Sequence, residues 1–377
     1  MKITGIEISH YLLPLDPPFK AAWDPQPRKK FATTIVAVHT DEGLTGIGSG
    51  DLMTGFAGHE HLFIGQDPFA IERHWQVIDN IDFHYGRCWP LDLALWDLIG
   101  KATGQPVYKL LGARNSKILA YASTGEIVEP EVRAERAQML VEQGFKAMKI
   151  RFHHDDPRKD IKVVEAVRKA VGDKLHIMVD ANQGWKMPWD VQPCWDLKLA
   201  LQVAKELEQL NVFWLEEPLP HHDFRGLAKL RELVEIRIAG GEMNRKWHDF
   251  REMSVLGALD VYQPDVALAG GITQVKKVAD MVQANGAWFS PHTWSNGIGL
   301  LANLHLAAAV SHCPYLEYPY DPPAWTPERR DFVQAVKVEV DKDGYLVIPD
   351  KPGLGIELDL AALERFKYDR VYVGESS

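Results

Sequence analysis

Ionisable residues recur at the ends of short apolar runs along the second half of the chain. "FKAMKIR" carries Lys149 and ends on Arg151, "LHIMVDA" carries Asp180, "VFWLE" ends on Glu216 and "IRIAGGE" ends on Glu242. "LDVYQPD" ends on Asp265, "AWFSPH" on His292, and "PYLEY" carries Glu317. From Lys149 onward the successive gaps are 31, 36, 26, 23, 27 and 25 residues. One charge after an apolar strand is ordinary, but a regular succession of them points to a shared face. Asp180, Glu216 and Glu242 on adjacent strands would be crowded anions, which hold either protons or a cation. All-oxygen ligation suits a hard cation such as Mg²⁺. The plainer alternative pairs each acid with its own Arg or Lys around a rim. Lys149 and Arg151 are two apart and share a strand face. Asp265, one repeat before His292, fits a carboxylate that fixes the imidazole tautomer and raises its basicity; the plainer reading of His292 is a polar loop residue. Glu317 fits either a neutral donor to an anionic intermediate or the partner of a base.

The doublet Glu216-Glu217, followed by Pro218, is resolved by parity. Side chains alternate along a strand, so only one of the two points to the axis. Glu216 is taken as the inward one and Glu217 as a supporting acid.

The elements that must position these groups follow from the same spacing, which is that of one βα unit. Eight short apolar runs from "ILAYAST" to "PYLEY" alternate with amphipathic stretches such as "PEVRAERAQMLVEQG" and "DIKVVEAVRKAV". This predicts an α/β fold, a (β/α)8 (TIM-like) barrel, whose strand C-termini open on one face. The first fifty residues read as β-structure with period-two alternation, and the segment from Gln66 to about Leu111 reads as helical. The GxGxG at 46–50 lacks the strand–turn–helix setting of a dinucleotide loop and reads as a hairpin. The expected division is an α+β capping domain at 1–117, a barrel at 118–345 and a segment at 346–377 that returns to the cap.

Composition narrows the partners. The 377 residues carry a net charge of −10, which argues against nucleic acid. No run approaches transmembrane length, and the N-terminus lacks a continuous apolar core, so no membrane and no signal peptide are expected. Three widely spaced cysteines without a CxxC suggest a reducing, cytoplasmic setting.

The motifs together resemble the enolase superfamily, in its mandelate racemase / muconate lactonizing group. They are "LDLALWDLIGKATGQPVYKLLG" (91–112), "FKAMKIR" (145–151), "VDANQGW" (179–185), "WLEEPLP" (214–220), "GGEMN" (240–244), "QPDVALAGGIT" (263–273), "SPHTW" (290–294) and "LEYP" (316–319). The resemblance implies one Mg²⁺ on Asp180, Glu216 and Glu242, and abstraction of the proton α to a substrate carboxylate by way of an enediolate. It implies that His292, with Asp265, acts on one face of the substrate, and that the residue matching Glu317 hydrogen-bonds the enediolate oxygen. It also implies a homo-oligomer. The family pattern on the opposite face is Lys-x-Lys, whereas this chain has Lys149-Ile150-Arg151. A guanidinium stays protonated and is a poor base. Two-base racemisation is therefore disfavoured, unless Arg151 lowers the Lys149 pKa enough to make it a base. Dehydration of a sugar acid, aldonate or aldarate, to a 2-keto-3-deoxy acid leads. Racemisation or epimerisation follows, then cycloisomerisation, and last a non-catalytic barrel scaffold.

Residues just beyond strand ends are the candidates for contact with this small carboxylic acid: Asn182, Trp185, Asn244, Arg245, Trp294 and Asn296. From the capping loops, Lys20, Trp23 and Arg28 are candidates, together with the segment Gly50–Phe56. Hydrogen-bonding groups and Trp faces suit a polyhydroxy acid. The pairs His153-His154 and His221-His222 sit among aspartates and read as mostly solvated.

Overall fold

The computed structural model describes residues 1–374, except 51, 52, 54, 55 and 57. The cap is an antiparallel sheet of β1 (Ile3–Phe19), β2 (Arg28–Thr40) and β3 (Thr45–Gly50), with the last strand, Lys367–Gly374, laid antiparallel on the free edge of β1. Period-two alternation puts Ile6, Ile8, Val36 and Val38 into an apolar layer under helices α1 (Ile71–Tyr85) and α2 (Trp89–Thr103). The glycines of the GxGxG serve close approach. A Cβ at Gly46 would stand 2.1 Å from the Ala94 carbonyl oxygen, and one at Gly48 would stand 1.9 Å from that of Pro90. β3 therefore lies directly on the α2 backbone.

Helix α2 is apolar nearly all round, as expected of a helix buried on both sides. Leu91, Leu95 and Leu98 join the cap core, while Leu93 joins the barrel core. A single helical turn, α3 (Val107–Leu110), leads into the barrel.

The barrel strands are β4 (Lys117–Ser123), β5 (Ala147–Arg151), β6 (His176–Asp180), β7 (Trp214–Glu216), β8 (Arg237–Gly240), β9 (Val261–Tyr262), β10 (Trp288–Phe289) and β11 (Leu316–Pro319). They are the eight runs read from the sequence, paired in parallel from β11 through β4 to β10. Helices α4 (Pro130–Glu142), α5 (Pro157–Val171), α6 (Leu197–Gln209), α7 (Phe224–Leu233), α8 (Trp247–Leu256), α9 (Gly271–Ala284) and α10 (Gly297–Ala308) fill the seven crossovers. Between β10 and β11 the described residues form no ladder. The Ser290 hydroxyl bonds the Tyr315 carbonyl at 2.7 Å and closes the ring there. Tyr345–Val347 pairs antiparallel with the first half of β4.

Inside the ring, Tyr121, Ala147, Met178, Trp214, Ala239, Val261 and Tyr315 pack as one apolar layer. Two residues further along five of those strands stand Ser123, Lys149, Asp180, Glu216 and Glu317. The layering of a closed parallel barrel thus carries every polar residue of one tier to the same height. No helix among the described residues is long and apolar enough to cross a membrane.

Cap and barrel are joined where α2 meets the start of α9. Asp92, fully buried, accepts from the Thr273 N–H at 3.2 Å and from its hydroxyl at 2.6 Å. Trp96 Nε1 donates to the same hydroxyl at 2.9 Å, and Trp75 Nε1 donates to the Gly270 carbonyl at 2.8 Å. Gly271, at φ +74, leaves room for the Asp92 carboxylate, which a Cβ would meet at 2.2 Å. Burial pushes the Asp92 carboxyl up to about 7, against the hydrogen bonds from Thr273. A raised carboxyl pKa gives stability that is complete below about pH 4 and is lost as pH rises through about 7. Asp92→Asn cannot ionise, so the stability advantage of the native residue over Asn should shrink between about pH 4 and about pH 7. Asp92→Ala should lose about 1–3 kcal/mol at the acid end of that range, a loss that shrinks toward the other end for the same reason. Urea melts at the two ends of that range check both, and an advantage that grows with pH would contradict the assignment.

Candidate active site

Register builds the centre. Arg151 pairs with Asp180 across β5–β6, and Asp180 with Glu216 across β6–β7. Glu242 arrives differently. It lies two residues beyond β8, after Gly241 turns the chain at φ +109. One oxygen from each of Asp180, Glu216 and Glu242 lies within 4.8 Å of the others, and all three residues are buried. The Glu242 Oε2 atom has no hydrogen-bond partner among the described residues. Three converging hard oxygens, one of them unsatisfied, fit a small divalent cation.

Lys149 lies beneath them. Its Nζ is 2.6 Å from Glu216 Oε1, 2.8 Å from Glu317 Oε1 and 3.6 Å from Asp180 Oδ2. Burial alone would lower its pKa, but the Glu216 and Glu317 carboxylates outweigh burial and hold it above the usual lysine value. Arg151 does pull downward, as the sequence suggested, and is outweighed too. Glu317 is the partner of a base: besides Lys149, it accepts from the Ser123 hydroxyl at 2.7 Å and the Thr293 N–H at 2.8 Å. Burial would raise the Glu317 pKa, yet Lys149, His292 and Arg151 together hold it below the ordinary carboxylate range.

Glu217 lies just past β7 with the chain turned to φ +46, so the turn and not strand parity sets its direction. Its carboxylate is buried against Gly184, where a Cβ would stand 2.2 Å from Oε1. Burial, then Glu242, Asp180 and Glu216, raise its pKa well above the usual value.

Opposite Lys149, His292 Nδ1 lies 3.0 Å from Asp265 Oδ2. The other oxygen of Asp265 accepts from Ala267 N–H at 2.8 Å and from Asn303 Nδ2 at 2.9 Å, so the carboxylate is fixed. His292 Nε2 faces Glu242 Oε2 at 3.6 Å. Burial would lower the His292 pKa, but Glu242, Glu317 and Asp265 raise it to about 9. Asp265 and His292 each lie three residues past two-residue strands, so the ladder stops earlier than the sequence suggested.

Arg151 donates to Asp180 Oδ2 at 2.6 Å and to Asn182 Oδ1 at 3.0 Å. Its guanidinium also lies 4.5 Å from the Trp23 ring and 5.2 Å from that of Trp294. A cap residue therefore sits directly on the site. Trp23, Arg28, Trp185, Arg245 and Trp294 line a cavity of about 330 Å³ with Glu242 and His292, and Arg87, which the sequence did not single out, joins them.

Other candidates take different positions. Lys20 is exposed and does not line that cavity. Asn182 is buried behind Arg151. Asn244 bonds the His221 carbonyl and Asp249, both at 3.4 Å, because its loop turns back onto the barrel wall. Asn296 caps α10 and ties it to Ser49 of the cap at 2.7 Å. His154 pairs with Asp160 at 2.7 Å, His153 with Asp190 at 3.3 Å, and His221 with the Gly184 carbonyl at 2.7 Å. Within Gly50–Phe56, residues 51, 52, 54 and 55 lie outside the described residues.

Sequence reasoning missed Ser123, Gln263 and Asn303. Gln263 donates to Glu216 Oε2 at 2.9 Å. Asn303 carried a signal, being an amide inside the apolar helix "GIGLLANLHLAA".

Residues 3–112 match the family described as the mandelate racemase / muconate lactonizing enzyme N-terminal domain, and residues 131–362 match the enolase C-terminal domain-like family. The chain is 32% identical to the arabinonate dehydratase of Saccharolobus solfataricus, over 81% of this chain and 80% of that one. It is 30% identical to the D-galactarolactone cycloisomerase of Agrobacterium fabrum, over 97% and 99% respectively. The crystal structure of L-talarate/galactarate dehydratase from Salmonella typhimurium LT2, liganded with Mg and L-lyxarohydroxamate, matches with a TM-score of 0.85 at 27% identity, covering 100% of this chain and 95% of that one. With both halves of the chain matched and the charged tier built as described, the protein belongs to the enolase superfamily, in its mandelate racemase / muconate lactonizing group.

Proposed function

We propose that this enzyme dehydrates a sugar acid to a 2-keto-3-deoxy acid, starting with removal of the proton α to the carboxylate. The observation that carries the reading is the asymmetry across the charged tier. On one side stands an imidazole held by a fixed carboxylate; on the other stands Arg151, tied to Asp180 and stacked on Trp23 and Trp294. One face thus offers a group that can take and return a proton, while the arginine opposite is a fixed cation. The dehydratases among the relatives agree with this choice, and the racemase and the cycloisomerase among them mark the alternatives.

Asp180, Glu216 and Glu242 would hold Mg²⁺. When bound, the ion supplies a Lewis acid for the negative charge that grows on the substrate carboxylate as the α-proton leaves. His292 Nε2 takes that proton while Asp265 holds Nδ1 and fixes the tautomer. The electrons of the broken C–H bond form the C2–C3 double bond, and the C3–O bond breaks. The imidazolium returns its proton to the departing β-hydroxyl, which leaves as water. The enol product then tautomerises to the keto acid. Arg151 stays protonated throughout and offsets negative charge on the substrate. Lys149, held between Glu216 and Glu317, orients the carboxylate tier from below.

Proton NMR in D₂O with Mg²⁺, over a panel of aldonic and aldaric acids with a parallel keto-acid assay, tests the reading. A keto product supports dehydration. Exchange of the α-proton without a keto product replaces it with racemisation or epimerisation, with Lys149 as the second base. Silence across the panel removes sugar acids as substrates.

His292→Asn should lower both exchange and dehydration by about 10²–10⁴-fold. Surviving exchange in that variant would transfer the role of base to Lys149 and leave His292 as the acid.

Metal binding gives two further expectations. Mg²⁺ at a hundredfold excess over its Kd should stabilise the native chain by about 2.7 kcal/mol. Glu242→Gln should lose most of that increment, with metal-free stability equal to or above the native, because one crowded anion is gone. Thermal melts with and without Mg²⁺ decide this.

His292, raised to about 9 chiefly by Glu242 against the effect of burial, must lose that support when Glu242 is committed to a cation. Mg²⁺ binding should therefore release protons, and its affinity should strengthen as pH rises toward about 9. Calorimetry in buffers of different ionisation enthalpy measures the release, and a pH-independent affinity would contradict the coupling.

A further inference from the structure

A second buried charge cluster lies outside the cavity. Asp321, two residues past β11 and buried, accepts from the consecutive amides of Gly125 and Glu126 at 3.0 and 2.9 Å. Arg133 donates to both of its oxygens, at 2.8 and 3.3 Å, and Arg136 to one at 2.9 Å. Arg133 also bonds the Glu126 carbonyl at 2.7 Å, and Arg136 the Glu126 carboxylate at 2.9 Å. None of these three side chains lines the cavity above the carboxylate tier. Exchanging a buried ion set for apolar groups is often neutral or stabilising, so net stability gives no reason for this one. What it fixes is the backbone of Gly125 and Glu126.

That backbone carries the cap. The Ala22 N–H donates to the Gly125 carbonyl at 2.8 Å, and Ala21 forms an antiparallel bridge with Glu126. The next residue is Trp23, whose ring lies 4.9 Å from that of Trp294 and 4.5 Å from the Arg151 guanidinium. Gly125 permits the close approach, since a Cβ there would stand 2.5 Å from the Phe19 ring and 2.8 Å from that of Trp294. The segment that carries Asp321 also grips the end of β1. Arg329 donates to the carbonyls of Asp16 at 2.7 Å and Pro17 at 3.0 Å. Between Asp321 and Arg329, Trp325 packs on Phe19 at 5.0 Å and on Phe31 at 4.9 Å. We infer that residues 321–329 form a clasp that sets the position of Trp23 over Arg151, with Asp321 and Arg329 as positioning residues for substrate binding. The inference rests on the sugar-acid reading for the choice of substrate alone, and dehydration is no part of it.

Arg329 stands outside the buried cluster, so Arg329→Gln leaves Asp321 and its arginines intact, while Arg136→Gln removes one partner of Asp321 and keeps Arg133. In each variant the KM of the acid turned over should rise about two- to tenfold, with kcat within about twofold, the size of a net hydrogen bond. In a Trp23→Ala background the same substitutions should leave KM unchanged, because the residue they position is gone. Trypsin should also cut the Mg²⁺-loaded variants after the exposed Lys20 faster than the native chain, since cleavage there needs the Ala21–Glu126 bridge to open. A KM change of equal size with and without Trp23 overturns the inference. So does faster cleavage with an unchanged KM, which leaves the clasp a structural tie, and so does an unchanged cleavage rate. If no acid of the panel turns over, dehydration fails, and the calorimetric Kd of the same acids takes the place of KM in the comparison.

Discussion

The contact on which the centre depends is the ammonium of Lys149, enclosed at the barrel axis between Glu216 and Glu317. Charge of this kind is costly to bury, and removing one member of such a set leaves the others uncompensated, at about 3–5 kcal/mol. The surroundings answer that constraint group by group. Ser123 and the Thr293 amide complete Glu317, Gln263 and the Trp214 indole satisfy the second oxygen of Glu216, and Arg151 balances Asp180. Glu242 Oε2, by contrast, has no hydrogen-bond partner among the described residues. Beneath this tier lies a buried apolar layer in which Tyr121 packs edge-on against Trp214.

The cap is part of the site and not a cover added to it. Trp23 reaches from the β1–β2 connection to the Arg151 guanidinium, while Phe19 and Trp325 pack behind Trp294. Farther back, α2 shares one face with the cap sheet and the other with the barrel, and Asp92 holds the turn that follows Asp265. The chemistry-bearing tier and the cap residues that line the cavity beside it are thus fixed to one another through packed helices.

Much of this was legible in the sequence because two simple periods carry it. The two-residue alternation of strands and the roughly 25–35-residue βα repeat put Lys149, Asp180, Glu216 and Glu317 at one height, and a reader of charges at strand ends finds them. Glu242, Asp265 and His292 are reached through irregular turns, so their recurrence was visible but their geometry was not. What was not legible falls where no period operates. Asn244 and Asn296 follow strands just as Asn182 does, yet loop conformation turned one to the wall and made the other a helix cap. Arg87, between two helices, and Asn303, inside a third, reach the site region or its supporting dyad only through long-range packing. The sequence left open whether Arg151 lowers the Lys149 pKa, and in the fold the carboxylates of Glu216 and Glu317 outweigh it.

The edge of β1 is filled by Lys367–Gly374, so the cap sheet is completed by a strand that follows the whole barrel. During synthesis at about 5–20 residues per second, the barrel strands emerge while that edge still lacks its partner, for some tens of seconds. An open antiparallel edge is a template for pairing with another chain. The nascent polypeptide therefore carries an open sheet edge until Lys367–Gly374 has left the ribosome, and a chain cut just before that strand would hold its charged centre in full and its cap sheet unfinished.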